Sequence, residues 1–137
     1  MKRMVFVMMA LMLTFGMVSA QQPTSRDGKA RIEQQVRQYT AAFSLDEVQA
    51  QQFTVLYREY CKKMRAIHDL YHQPRPAEGT TLTDEQVEKR ILDNFAQSRA
   101  ILDVREQYYK SFRKLLTPTQ INQIFEDEKA RRAQMRR

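Results

Sequence analysis

Two histidines one helical turn apart are the side chains in this sequence best placed to do chemistry. His68 and His72 are four residues apart, so in a helix both imidazoles lie on one face and can bind the same metal ion. Cys61 shares that face, but it is about 10 Å away along the helix axis, and Asp69 is expected to point elsewhere. Two ligands do not complete a site, so no metal is predicted. The simpler interpretation is two solvated histidines near a helix end.

No pattern typical of a catalytic site is present. The sequence has no glycine-rich phosphate loop and no GxSxG, HExxH or CxxC motif, so we expect neither catalysis nor a cofactor. Cys61 is the only cysteine and cannot form an internal disulfide. We expect a buried free thiol, and a disulfide across a dimer is the alternative.

Basic and aromatic residues occur together in the middle and later parts of the chain, which carries a net charge of +7. A surface of this composition can hold unfolded polypeptides weakly, because charge attracts the client and apolar rings then contact it. The alternative is a solvated helix face with ion pairs, whose aromatic residues belong to the core. The candidate client-binding residues are Arg58, Lys62, Arg65, Tyr108, Tyr109 and Arg113.

The first twenty residues resemble a secretory signal peptide. Basic Lys2 and Arg3 precede an apolar run over residues 4–18, and Ala20 ends a small-residue cleavage site. The run is shorter than the roughly 20 residues that a membrane-spanning helix needs. We therefore expect cleavage after Ala20, a flexible leader over residues 21–28, and an exported protein that does not bind nucleic acid.

A five-residue pattern recurs three times where a helix is expected to begin. An apolar residue precedes Ser or Thr, and Glu or Gln follows three positions after that hydroxyl residue. This is the capping-box pattern, in which the side chain of each of the two residues accepts a hydrogen bond from the backbone N–H of the other. The apolar residue before them is placed to form a hydrophobic staple, a contact with the first turns of the helix. The three copies are Phe43/Ser44/Glu47, Leu82/Thr83/Gln86 and Leu116/Thr117/Gln120.

Apolar residues at steps of three and four predict four helices and an all-α fold. We expect them at about residues 29–42, after Ser44 to about 72, after Thr83 to about 115, and after Thr117. The apolar stripe of the third helix is expected to comprise Val87, Ile91, Phe95, Ser98, Leu102, Arg105, Tyr109, Phe112 and Leu116. The two long helices are expected to form an elongated hairpin within a single domain at residues 29–137. Such a thin shape leaves apolar surface exposed, and a homodimer would bury it.

These motifs resemble the Spy/CpxP superfamily of exported helical proteins, which is defined by LTxxQ motifs. Leu82/Thr83/Gln86 and Leu116/Thr117/Gln120 match the motif fully, and Phe43/Ser44/Glu47 is a conservative variant. The resemblance extends over roughly residues 30–135. Residues 43–60 also resemble a divergent branch whose members are described as heavy-metal or sigma-factor-linked sensors.

Two functions follow from this resemblance as expectations. The first is an ATP-independent periplasmic chaperone that binds unfolded or partly folded proteins during envelope stress. The second is a metal-responsive or sigma-factor-linked stress sensor that acts through a signalling partner. An inert helical interaction protein is a third interpretation.

Overall fold

The structure is a computed structural model that describes residues 25–135, and within that range the chain is all-helical, as predicted. The four helices are α1 (Ser25–Ala42), α2 (Glu47–Leu70), α3 (Asp84–Phe112) and α4 (Pro118–Met135). The predicted signal peptide and the first four residues of the predicted leader lie outside the described residues. The other four leader residues, 25–28, are not a flexible leader, because they form the first turn of α1.

Two of the three predicted capping boxes form as expected. At the start of α3, the Gln86 backbone N–H donates to the Thr83 hydroxyl over 3.3 Å and the Thr83 N–H donates to the Gln86 amide oxygen over 3.0 Å. Thr117 and Gln120 make the same pair of bonds before α4, at 3.3 and 2.9 Å. Pro118 then occupies the first position of α4, where its missing N–H has no helical partner to lose.

The first predicted capping box is wrong: Ser44 does not cap α2. Asp46 is the N-cap, and its carboxylate accepts from the Gln49 N–H over 2.8 Å while Gln49 reaches back to the Asp46 N–H. Ser44 instead terminates α1 with a φ of 51°. Its N–H donates to the Ala41 carbonyl and the Leu45 N–H donates to the Thr40 carbonyl, which is the Schellman arrangement of a helix C-terminus.

The core is aromatic and lies where all four helices meet. Tyr57 and Tyr60 of α2 are almost fully buried, and rings from α1 and α3 pack against them. Tyr39 lies 5.6 Å from Tyr57 and Phe112 lies 5.8 Å from Tyr60, both edge to face. The other buried residues of this core are Val36, Phe53, Tyr108, Leu116, Ile121 and Ile124.

The predicted stripe of α3 does not face this core along most of its length. Phe112 and Leu116 are buried, but Phe95 and Leu102 remain 56% and 55% exposed. A different face points inward, with buried or half-buried residues at steps of three and four, namely Asp93, Gln97, Ala100, Val104 and Tyr108. Successive residues of an α-helix are rotated by about 100°. The inward face therefore contains Tyr108 in place of its neighbour Tyr109, which points outward.

A long middle part of the chain has no core of its own. Residues 61–107, which we call the outer segment, include the C-terminal part of α2, the connection and most of α3, and none of their side chains is buried. Polar contacts fasten the connection to α3. Gln73 donates to Asp93 over 2.8 Å, and Arg90 donates to the Pro74 carbonyl over 3.0 Å.

Candidate functional site

The six candidate client-binding residues do not form one surface. Arg58, Lys62 and Arg65 lie together on α2 and line a cavity between α1 and α2. The other three residues, Tyr108, Tyr109 and Arg113, follow one another at the C-terminal end of α3 and do not line that cavity. The predicted basic and aromatic surface is therefore divided between two places in the molecule.

Tyr108 and Arg113 are structural residues. Tyr108 is buried, with its ring 5.5 Å from that of Tyr60, so the prediction that it contacts clients is wrong. Arg113 donates to the Leu116 carbonyl over 2.8 Å and thereby satisfies a backbone group in the turn before α4. Tyr109 is 41% exposed and Arg113 is also exposed, so both of these side chains can contact another molecule.

A row of exposed apolar residues lies on the outward side of α3. We call it the exposed row, and it comprises Val87, Ile91, Phe95, Leu102 and Tyr109. From its first to its last residue it spans about 33 Å of helix. Exposed charges of both signs lie beside it, including Arg99, Asp103, Glu106 and Lys110. Its seven-residue spacing between Phe95, Leu102 and Tyr109 is visible in the sequence, but the sequence does not show that it faces outward.

The cavity between α1 and α2 is strongly basic. It has a volume of about 470 Å³ and is lined by Lys29, Ile32, Glu33, Arg58, Cys61, Lys62 and Arg65. Arg58 holds both oxygens of Glu33, each at 2.8 Å, and this hydrogen-bonded pair lowers the pKa of Glu33. Among the described residues, none of the ion pairs includes Lys29, Lys62 or Arg65.

Cys61 forms part of the wall of this cavity. Burial raises the pKa of its thiol to about 11, although a hydrogen bond with Tyr57 acts in the opposite direction. The thiol is therefore neutral near pH 7 and is a weak nucleophile there. The thiol was expected to be buried, and it is only partly buried.

His68 and His72 are neighbours, with ring centroids 5.5 Å apart. Contrary to expectation, Asp69 does not point away, because its carboxylate lies 3.3 Å from Nδ1 of His68. Within residues 25–135, however, no group of three His, Cys, Asp or Glu side chains is arranged to hold a metal ion. The arrangement offers at most two imidazole ligands on an exposed helix face.

Sequence reasoning missed a polar cluster that joins α4 to the rest of the molecule. Glu128 accepts a hydrogen bond from the Tyr60 hydroxyl and pairs with Arg105 at 3.4 Å and with Arg132 at 3.2 Å. Nearby, the Tyr39 hydroxyl donates to Asp127 over 3.0 Å. The sequence offers little signal for this cluster, since its members come from four different helices.

Comparisons with models of protein families, with curated proteins and with solved structures find no match for this chain. The Spy/CpxP resemblance therefore remains a prediction that depends on the motifs quoted above. In the part of the chain that the structure describes, no helix is both long and apolar enough to cross a membrane.

Proposed function

We propose that this protein is an exported, ATP-independent chaperone-like protein that binds unfolded polypeptides under envelope stress. The exposed row of α3 carries the proposal. Soluble proteins rarely leave a long apolar patch in contact with water unless it binds something. The exposed row has five large apolar side chains on one helix, with Phe95 and Leu102 more than half accessible.

The dimensions of the exposed row suit an extended client. Its length of about 33 Å matches roughly ten residues of extended chain. The neighbouring charges of both signs keep the surface soluble and do not select for one client sequence. This differs from the sequence prediction, in which charge first attracts clients to a basic and aromatic surface. Binding through the exposed row depends instead on apolar contact, which salt does not screen.

The test is aggregation of a chemically unfolded client, without ATP, at low and high salt. We expect the protein to suppress aggregation at about one-to-one stoichiometry and to retain most of this effect in high salt. A variant carrying both Phe95→Gln and Leu102→Gln should lose most of the suppression. The matched control carries Val48→Gln and Val55→Gln, which remove two apolar side chains that are 64% and 57% exposed on α2.

The same variants separate client binding from self-association. A second copy of the chain could cover the exposed row as a homodimer, so the mass of each variant is measured alongside suppression. If the α3 variant becomes monomeric and still suppresses aggregation, the exposed row is a dimer interface and not the client site. If the folded wild-type protein suppresses nothing, the chaperone proposal fails.

The sensor function is the second candidate, and the adjacent imidazoles of His68 and His72 favour it. Zinc or nickel should then raise the melting temperature of the protein, and His72→Ala should remove the shift. Absence of a metal-dependent shift in the wild-type protein would exclude this site as the sensing element.

A further inference from the structure

The basic cavity between α1 and α2 offers a chemistry that the proposed chaperone activity does not use. Four cationic side chains and one carboxylate line it, together with the apolar Ile32 and the neutral thiol of Cys61. Arg58 is already paired with Glu33 through two hydrogen bonds. Among the described residues, the positive charges of Lys29, Lys62 and Arg65 therefore remain outside any ion pair around one concave surface.

One of these cations lies directly against α1. A Cβ atom added to Gly28 would lie 2.3 Å from Nη2 of Arg65, so the guanidinium occupies the space that a side chain would take. This approach brings Arg65 of α2 beside the first turn of α1, near Lys29. Like charges placed around one cavity repel each other, and a bound anion would offset that repulsion.

We propose that this cavity binds a phosphate group, either as a free anion or as part of an amphiphilic molecule. A phosphate dianion has more acceptor oxygens and more negative charge than a single carboxylate, so it can pair with several cations at once. The volume of about 470 Å³ lies within the range of small-molecule sites. The remaining wall, formed by Ile32 and Cys61, suits an apolar attachment to the phosphate.

Cys61 provides a built-in reporter for this site, because it is the only cysteine of the chain and forms part of the cavity wall. The experiment measures the rate at which neutral iodoacetamide alkylates Cys61 at mildly alkaline pH, at constant ionic strength. The probes are inorganic phosphate and, separately, a short-chain phosphatidic acid below its micelle concentration. Chloride and acetate at the same ionic strength serve as reference anions.

We expect at least one of the two phosphate probes to slow alkylation in a saturable manner. Protection by inorganic phosphate would show that the phosphate group is sufficient, and protection by the phosphatidic acid alone would show that the apolar attachment is required. Lys62→Gln should weaken the protection about threefold, as expected for the loss of one exposed charge contact. Lys63→Gln is the matched control, because it removes the same charge at a neighbouring position that does not line the cavity.

Two results would overturn the proposal. One is that neither phosphate probe protects Cys61 more than chloride and acetate do. The other is that Lys63→Gln weakens protection as much as Lys62→Gln does, since the effect would then reflect the general charge of the protein. Both substitutions affect exposed side chains, so the variants should fold, which circular dichroism verifies.

Discussion

Ser44 and Asp46 show how two neighbouring residues divide the turn between α1 and α2. Asp46 begins α2, and Ser44 ends α1 in the left-handed region with a φ of 51°. That region costs an ordinary L-residue roughly 1–2 kcal/mol, and glycine is the usual occupant of this position in a Schellman motif. Ser44 therefore fits the sequence pattern of an N-cap, but it occupies the position after the C-terminus of α1 where glycine is usual.

Substitutions at these two positions should change stability in opposite directions. Ser44→Gly should stabilise the protein by about 1 kcal/mol, because it relieves the left-handed backbone cost. Asp46→Ala should destabilise it by about 1 kcal/mol through loss of the cap. Urea unfolding of both variants measures these differences. A loss of stability in Ser44→Gly, comparable to that in Asp46→Ala, would mean that Ser44 is the cap after all.

The sequence was sufficient for the other two caps because their signals are purely local. Thr83 and Thr117 each have Gln three positions later, and no other Ser, Thr, Asp or Asn near either of them has Glu or Gln at that spacing. Near Ser44 two hydroxyl or carboxylate residues compete, and the choice depends on where α1 ends. At that end the rings of Tyr39 and Phe43 are stacked 5.5 Å apart, a contact that the capping pattern does not show.

At the scale of the element, α3 has two faces that could pack against the core, and only one of them does so. The outward face holds the larger apolar residues, so hydrophobic periodicity alone favours it as the core face. The inward face contains Ala100 and Val104 and delivers Tyr108 to the aromatic core. Existence, order and approximate bounds of the helices were predictable from the sequence. The rotation of α3 was not, because it depends on which neighbour each face meets.

Helix α4 is fastened by charge as well as by apolar contact, and Glu128 is the central group. Glu128→Gln should destabilise the protein by about 2 kcal/mol, because it removes a half-buried charge shared by Tyr60, Arg105 and Arg132. The matched control is Glu126→Gln on the same helix, whose exposed pair with Lys129 spans 3.9 Å. Its effect should be within about 0.5 kcal/mol.

Urea unfolding at neutral pH measures both variants of α4. Equal stability losses at Glu126 and Glu128 would contradict the assigned role, since they would indicate a general effect of negative charge on the helix. A loss confined to Glu128 would show that the polar cluster holds α4 against the core.

At the scale of the whole molecule, stability is concentrated in a core in which four of the ten buried residues of the described chain are tyrosines. Burial raises the pKa of Tyr57 and of Tyr60, and it raises the pKa of Cys61 to about 11. In the unfolded chain these groups ionise near pH 8.5 for cysteine and about pH 10 for tyrosine. Over a range of alkaline pH these three groups are therefore still protonated in the folded chain but already ionised in the unfolded chain.

The sign of this linkage predicts unfolding by alkali. The contribution of these groups is fully present below the unfolded pKa values and is lost as the pH rises above about 9. Each group should then lower the free energy of unfolding by up to about 1.4 kcal/mol per pH unit. Urea unfolding between neutral pH and pH 11 measures the slope.

Tyr57→Phe tests whether ionisation of Tyr57 contributes to the loss of stability at alkaline pH. At neutral pH it should cost about 1 kcal/mol, because Tyr57 donates to Gln35 over 2.9 Å. This deficit should shrink as the pH rises, since phenylalanine cannot ionise. Parallel stability curves for the variant and the wild-type protein would contradict the assignment.

Residues 61–107 contribute no buried side chain to the core. The length of this outer segment can therefore differ without a change in the buried core. Stability depends on the junction where the helices meet, whereas the outer segment sets how far α2 and α3 extend from it. Seven residues correspond to about 10 Å of helix and return each side chain nearly to its original direction. Paired seven-residue insertions in the two helices would therefore extend α2 and α3 further from this junction and leave the buried core intact.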